Sequence, residues 1–428
     1  MQLNPFKESP STIEKSFQNW LELYPNPYNK RTVDPYTKTR IILMNGTEFE
    51  ANWFSHQLAR HTDNNDLKRE IAMTREVEKQ QQLKLALLKP ANESILEHTI
   101  GYEQLAVDLT AELAKRERNC DVKRALDFAL LEDFDHLYRY ADLLNMEQGI
   151  AAEKLVGGYT EIMPGRPTIA HHRCPKDNVR KNINAKKSCT ETVLATMIIT
   201  AAEQQTMNYY MNATPFACSD IGRRLYQEIA LVEEEHVTHY EALMDPNATW
   251  LEMLLWHEYC ECYLYWSCYM TESDPSVKQL WCENLGMEIT HLHRAADLLK
   301  KYEGKEWCEI ITDPEFPSPL SLHENIEYVR NILGTTVQFT SGKDNEYHSV
   351  NDISRDADFF AFQNVIQPNV EMTPSHRVIE AYLSRHRHDY RYEIAENPIA
   401  ALRNRKCDNT DVGRIPGAAE SSGFSCDK

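Results

Sequence analysis

Between residues 91 and 301, apolar positions recur at steps of three and four in six successive runs. These are roughly 91–117, 121–145, 189–211, 220–244, 249–271 and 276–301. That period is helical, and short polar joints separate the runs, including one near Asn119, TPFACSD and DPNAT. Ahead of them, 66–89 is a further helix-like stretch ended by Pro90. Residues 1–65, rich in Pro, Asn, Tyr and Trp, read as an irregular wrapping arm. Residues 146–188 break the helical pattern with Gly157-Gly158, Pro164, Gly165, Pro167, His171-His172 and a basic patch from Lys176 to Lys187. A stretch of that length is a crossover or a lid, and a solvated loop is favoured over an anion site for its histidines and lysines. Strand signals are confined to 303–360, and HRHDYRYE (386–393) reads as a polar helix end. The expected organisation is an arm and helix at 1–90, a six-helix core at 91–301 and an extension at 302–400. A disordered tail is expected at 401–428.

One run violates its own pattern. In ALVEEEHVTHYEALM (230–244) the apolar stripe through Tyr226, Ile229, Tyr240 and Leu243 also carries Glu233 and His236. A carboxylate beside an imidazole on a buried face costs several kcal/mol unless both are compensated. Either that face is solvated or it holds a cation.

Spacing favours the cation. Of the sixteen histidines, only His136, His236 and His291 have an acid three residues before them, namely Asp133, Glu233 and Glu288. Each acid has a glutamate thirty residues upstream: Glu103, Glu203 and Glu258. Each thirty-residue pair straddles an inter-helix joint, so its members stand at similar heights on facing helices. The segments DFDHLYRYADLL (133–144) and EITHLHRAADLL (288–299) agree at seven of twelve positions, which argues for repeated helical hairpins. An acid and a histidine at i, i+3 point to one side of a helix while the facing helix adds another glutamate, an arrangement suited to two divalent ions.

Composition narrows the classes. The 428 residues carry 65 acids against 46 bases, a net charge of −19, which argues against nucleic-acid or anionic-membrane partners. The N-terminus is polar and no apolar run is long enough to span a membrane, so a soluble cytoplasmic protein is expected. The eleven cysteines include no CxxC pair and read as small core residues in a reducing compartment. The aromatic run WHEYCECYLYW (256–266) reads as packing, although His257 and Glu261 lie within reach of the Glu258 layer.

With these motifs, 91–301 resembles the ferritin-like di-iron and di-manganese carboxylate superfamily, which includes bacterioferritin, rubrerythrin and manganese catalase. EEEH (233–236) is similar to the bacterioferritin ligand motif. The resemblance implies a mainly α, ferritin-like bundle of three helical hairpins with N- and C-terminal extensions. It places Glu103, Asp133, His136, Glu203, Glu233 and His236 as the main ligands of two iron ions, with manganese or a mixed pair as the alternative. Asp133 departs from the usual glutamate, and Glu132 is its alternative. Glu258, Glu288 and His291 exceed the usual ligand set and would complete the site, add a third imidazole or be a metal-free remnant. Tyr140 and Tyr240, one turn beyond the histidines, are candidate catalytic groups that bond a ligand or carry an electron; packing is the alternative. The implied activity is oxidation of a small organic substrate with dioxygen or hydrogen peroxide, with an external electron donor and a homodimer as compatible partners. Manganese catalase-like dismutation and a metal-free helical scaffold are the rivals.

Overall fold

The computed structural model describes residues 3–166, 171–368 and 372–387. It is mainly helical, a helical bundle with almost no sheet. Its α-helices are α1 (Pro35–Arg60), α2 (Asn65–Leu87), α3 (Ile95–Arg116), α4 (Cys120–Gln148), α5 (Thr190–Ala213) and α6 (Asp220–Glu241). They continue with α7 (Trp250–Thr271), α8 (Pro275–Glu303), α9 (Ile326–Thr336), α10 (Asp358–Ile366) and α11 (Pro374–His386). A two-stranded antiparallel ribbon of three residue pairs joins β1 (Phe339–Ser341) to β2 (Tyr347–Ser349), Thr340 facing His348. The 401–428 tail, Pro167 and 388–393 of the expected helix end lie outside the described residues.

The joints read from the sequence are helix caps. Asn119 accepts from the backbone N–H groups of Asp121 and Val122 to start α4, and Gly149, at φ 66°, ends it in the left-handed region. Ser94 with Glu97 and Thr249 with Glu252 form capping boxes that open α3 and α7. Asp274 caps α8 with Pro275 in its first turn.

The chain divides into two compact units that do not follow the expected segments. Unit 1 comprises 1–93, 182–205 and 244–322; unit 2 comprises 94–181, 206–243 and 323–428. In unit 1, α1 packs on α2 and α7 on α8. The residues of α1 were expected to be irregular; instead they form a 26-residue helix capped by Asp34. At Gly46 the side chain of Gln205 approaches so closely that a Cβ there would clash with it. The core of unit 1 is built on Met44, Val77, Leu85, Leu255, Leu264 and Trp281.

Unit 2 packs α3 on α4, with α4 also against α6, α9 and α11. Every residue of α4 from Phe128 to Leu144 is buried, as expected of a helix covered on all sides. Part of that cover comes from the described residues of the 146–188 crossover: Lys176, Lys181, Lys186 and Lys187 are exposed, as expected of a solvated loop, but His171 and His172 are buried. Arg166, His171 and Arg173 are fully buried, and Gly165 donates its backbone N–H to Asp135 Oδ1 at 3.0 Å. The cysteines also differ from expectation: Cys260, Cys262 and Cys268 are buried, but Cys120, Cys189, Cys218, Cys282 and Cys308 are exposed.

Candidate metal centre

In unit 2 the acid–histidine pairs of α4 and α6 turn toward each other. His136 Nδ1 lies 3.0 Å from Glu233 Oε1, and His236 Nδ1 lies 3.0 Å from Glu233 Oε2. One carboxylate is therefore held between two imidazoles whose ring centroids are 6.0 Å apart. Two triads share it: Glu103, His136 and Glu233 each offer a ligand atom within 4.8 Å of the others, and so do Asp133, Glu233 and His236. All five side chains are buried.

Glu203 is carried by α5, which passes from unit 1 into unit 2 two residues later. Seven residues on, two helical turns along the same face, Tyr210 donates its hydroxyl to Glu103 Oε1 at 2.6 Å. Sequence reasoning missed Tyr210; its position seven residues after Glu203 was the available signal.

Burial works to raise the Glu233 pKa, but the His136 and His236 imidazoles outweigh it and hold the carboxyl at about 2. Asp133 is shifted up by burial, against the pull of His236. Among the described residues, Asp133 Oδ2 and His136 Nε2 are buried with no hydrogen-bond partner. Buried polar atoms normally have partners, so such vacancies in a cluster of hard and borderline donors fit a divalent cation.

Behind the cluster lies a layer that orients it. Glu132, weighed as an alternative to Asp133, binds the far side of an imidazole instead: His236 Nε2 lies 2.8 Å from Glu132 Oε2. Glu132 Oε1 accepts from Arg166 at 2.9 Å and Arg173 at 2.5 Å. Burial opposes ionisation of Glu132, but Arg173, His171, His236 and Arg166 hold its pKa well below the carboxylate range. This is the carboxylate–histidine arrangement that fixes the ring and leaves Nδ1 facing the acids. Asp135, next on the same helix, is bound by Arg139 through two 3.0 Å hydrogen bonds.

Tyr140 is fully buried, and its hydroxyl makes no hydrogen bond to any described residue; its ring packs 4.9 Å from Tyr226 and 5.3 Å from Tyr210. Tyr240 is equally buried, with its ring edge-on to His239 at 5.5 Å. The hydrogen bond to a cluster acid expected of Tyr140 is made by Tyr210.

A cavity of about 460 Å³ opens in unit 2, lined by His172, Glu228, Leu231, Glu235, Phe362 and Ile366 among others. Glu235 links it to the centre, since Arg173 Nη2 lies 3.3 Å from Glu235 Oε2 while its other guanidinium nitrogen bonds Glu132. Burial raises the Glu235 pKa to about 7 against the pull of Arg173.

The remaining predicted residues, Glu258, Glu288 and His291, lie in unit 1, all buried. His291 Nδ1 lies 3.0 Å from Glu288 Oε2. Compared with family models, curated proteins and solved structures, the chain gives no match in any of the three.

Proposed function

We propose that unit 2 holds a pair of redox-active metal ions, iron first and manganese second, in a ferritin-like arrangement. On this reading the protein is an oxidoreductase that uses dioxygen or peroxide to oxidise a small organic substrate. The observation that carries it is Glu233, shared between two buried acid–histidine triads within 4.8 Å each. A shared carboxylate flanked by one imidazole per side is the donor geometry of a two-metal site. Glu103, Asp133, His136, Glu233 and His236 would hold the pair. When bound, such a pair supplies electron transfer to and from an oxidant.

The chain's own residues set the conditions for that chemistry. Glu132, held by Arg166 and Arg173, accepts a hydrogen bond from His236 Nε2–H and so turns Nδ1 toward Glu233 and Asp133. Tyr210 donates to one oxygen of Glu103 and so orients the carboxylate. The fully buried surroundings of α4 exclude water and strengthen every charge interaction among these groups. The mainly apolar cavity favours oxidation of an organic substrate over dismutation of peroxide, which needs no such space. Its Glu235–Arg173–Glu132–His236 chain of contacts would couple substrate binding to the centre.

The test is metal analysis of protein from iron- and manganese-supplemented cells, purified without chelator or histidine tag. The difference between wild type and a folded H136A/H236A variant should be about two equivalents of iron or manganese. Dioxygen uptake by the Fe(II)-loaded protein should be lost with them. Equal metal content in the two proteins would sink the reading.

A further inference from the structure

The thirty-residue spacing has a fourth instance that a search anchored on histidine cannot see. Glu48 on α1 precedes Glu78 on α2 by thirty residues, and the position three beyond Glu78 is Gln81. Glu48 stands 55 residues before Glu103, just as Glu203 stands 55 before Glu258. The third expected hairpin, α7–α8, therefore shares its unit with α1–α2, and unit 1 repeats the plan of unit 2 with one donor changed.

The correspondence extends to contacts. In unit 2, Tyr210, seven residues after Glu203, donates to Glu103. In unit 1, Tyr265, seven residues after Glu258, donates to Glu48. In unit 2, Glu233 lies between His136 and His236; in unit 1, Glu288 lies between Gln81 and His291. Gln81 Nε2 donates to Glu288 Oε1 at 2.5 Å, and His291 Nδ1 lies 3.0 Å from Glu288 Oε2.

Glu78, Glu258 and His291 offer ligand atoms within 4.8 Å of one another, and so do Glu258, Glu261 and Glu288. All are buried, and among the described residues both oxygens of Glu261 and Oε2 of Glu258 lack a hydrogen-bond partner. A separate cavity of about 20 Å³, room for one water-sized occupant, is lined by Glu261 with Thr47, Glu50, Thr200 and His257.

We infer that unit 1 is a second metal centre, holding a single divalent cation on Glu78, Glu258, Glu288 and His291, with Glu261 in reserve. The ion count follows from Gln81. An amide nitrogen has hydrogens and no lone pair to give, and turning the amide over would set its oxygen against a carboxylate. Gln81 therefore caps the Glu288 oxygen whose counterpart in unit 2 faces His136, and the second ion loses its nitrogen ligand. Carboxylates outnumber imidazoles here, a set that suits Mn(II). Four buried carboxylates, Glu78, Glu258, Glu261 and Glu288, thus stand around one imidazole, and a dication would compensate their charge.

The inference is independent of the activity proposed for unit 2, and the test separates them. Full-length H136A/H236A protein, freed of metal, is titrated with Mn(II) alone and followed by electron paramagnetic resonance. It should take up about one isolated Mn(II), lost on adding E258Q/E261Q, and Q81H should raise the uptake to about two with a spin-coupled signal. No saturable uptake by a folded H136A/H236A chain, or uptake indifferent to E258Q/E261Q, overturns the inference. If H136A/H236A does not fold, wild type is compared with E258Q/E261Q, and equal Mn(II) content overturns it there.

Discussion

Glu132 shows what a single buried charge requires in this protein. It accepts from two guanidinium groups and from His236, and none of these groups reaches solvent. Removing one partner of a buried ion network costs about 3–5 kcal/mol, because the remaining charge stays buried without compensation. R173M should therefore lower the unfolding free energy by about that amount in urea, although methionine fills similar volume. On the cavity wall, His172 Nε2 lies 3.2 Å from Glu228 Oε1. Burial works to lower the His172 pKa, but the Glu228 hydrogen bond outweighs it and raises the value above 6.5. A raised histidine pKa contributes stability that is complete below the unfolded value and lost as pH rises through the folded one. H172Q should thus cost more stability below about pH 6 than at pH 9, where the deprotonated imidazole no longer pairs with the carboxylate. Urea midpoints of both proteins across that range are the check. Equal differences at both ends would show that the pair carries no charge in the folded state.

Among the elements, α4 and α1 contrast in how far their residues announce them. The joint at Asn119 and the spacing of Asp133 and His136 made α4 readable, although the expected run stopped at 145 and the helix continues to Gln148, where Gly149 ends it. N119A should destabilise it by about 1 kcal/mol, measurable as a shift of the thermal midpoint. The start of α1 was marked just as clearly by Asp34-Pro35. Its interior hides the helix because Thr37, Lys38, Thr39, Arg40, Thr47, Glu48 and Asn52 are all buried. A helix enclosed on several sides by partners that satisfy its polar groups has no need of an amphipathic stripe, so periodicity finds nothing. The crossover misled for a related reason: its glycines, prolines and basic residues look like a loop. Arg166 and Arg173 are buried only because Glu132 and the Phe128 ring, 4.0 Å from the Arg166 guanidinium, receive them.

In the whole molecule, two units each gather buried acids around at least one imidazole, and no helix among the described residues is long and apolar enough to cross a membrane. A cation bound only by the folded state stabilises it by about 2.7 kcal/mol at a hundredfold excess over Kd. Adding Mn(II) at that excess to metal-free wild type should raise stability by about that amount for each occupied ion site, and E258Q/E261Q should remove the unit 1 share. The sequence by itself determined the helices from 95 to 303, their caps, and the nine acids and histidines at repeated spacing, because each of these is written in local period and composition. Only the tertiary structure decided which hairpins share a unit, since a hairpin's inner face does not specify the hairpin that will cover it. It also decided that Glu132 stands behind His236 and not beside Asp133, because α4 is enclosed and adjacent residues on one helix point to different partners. And it brought Gln81 to the place of a histidine, a substitution that spacing alone could register only once α1 was known to be a helix.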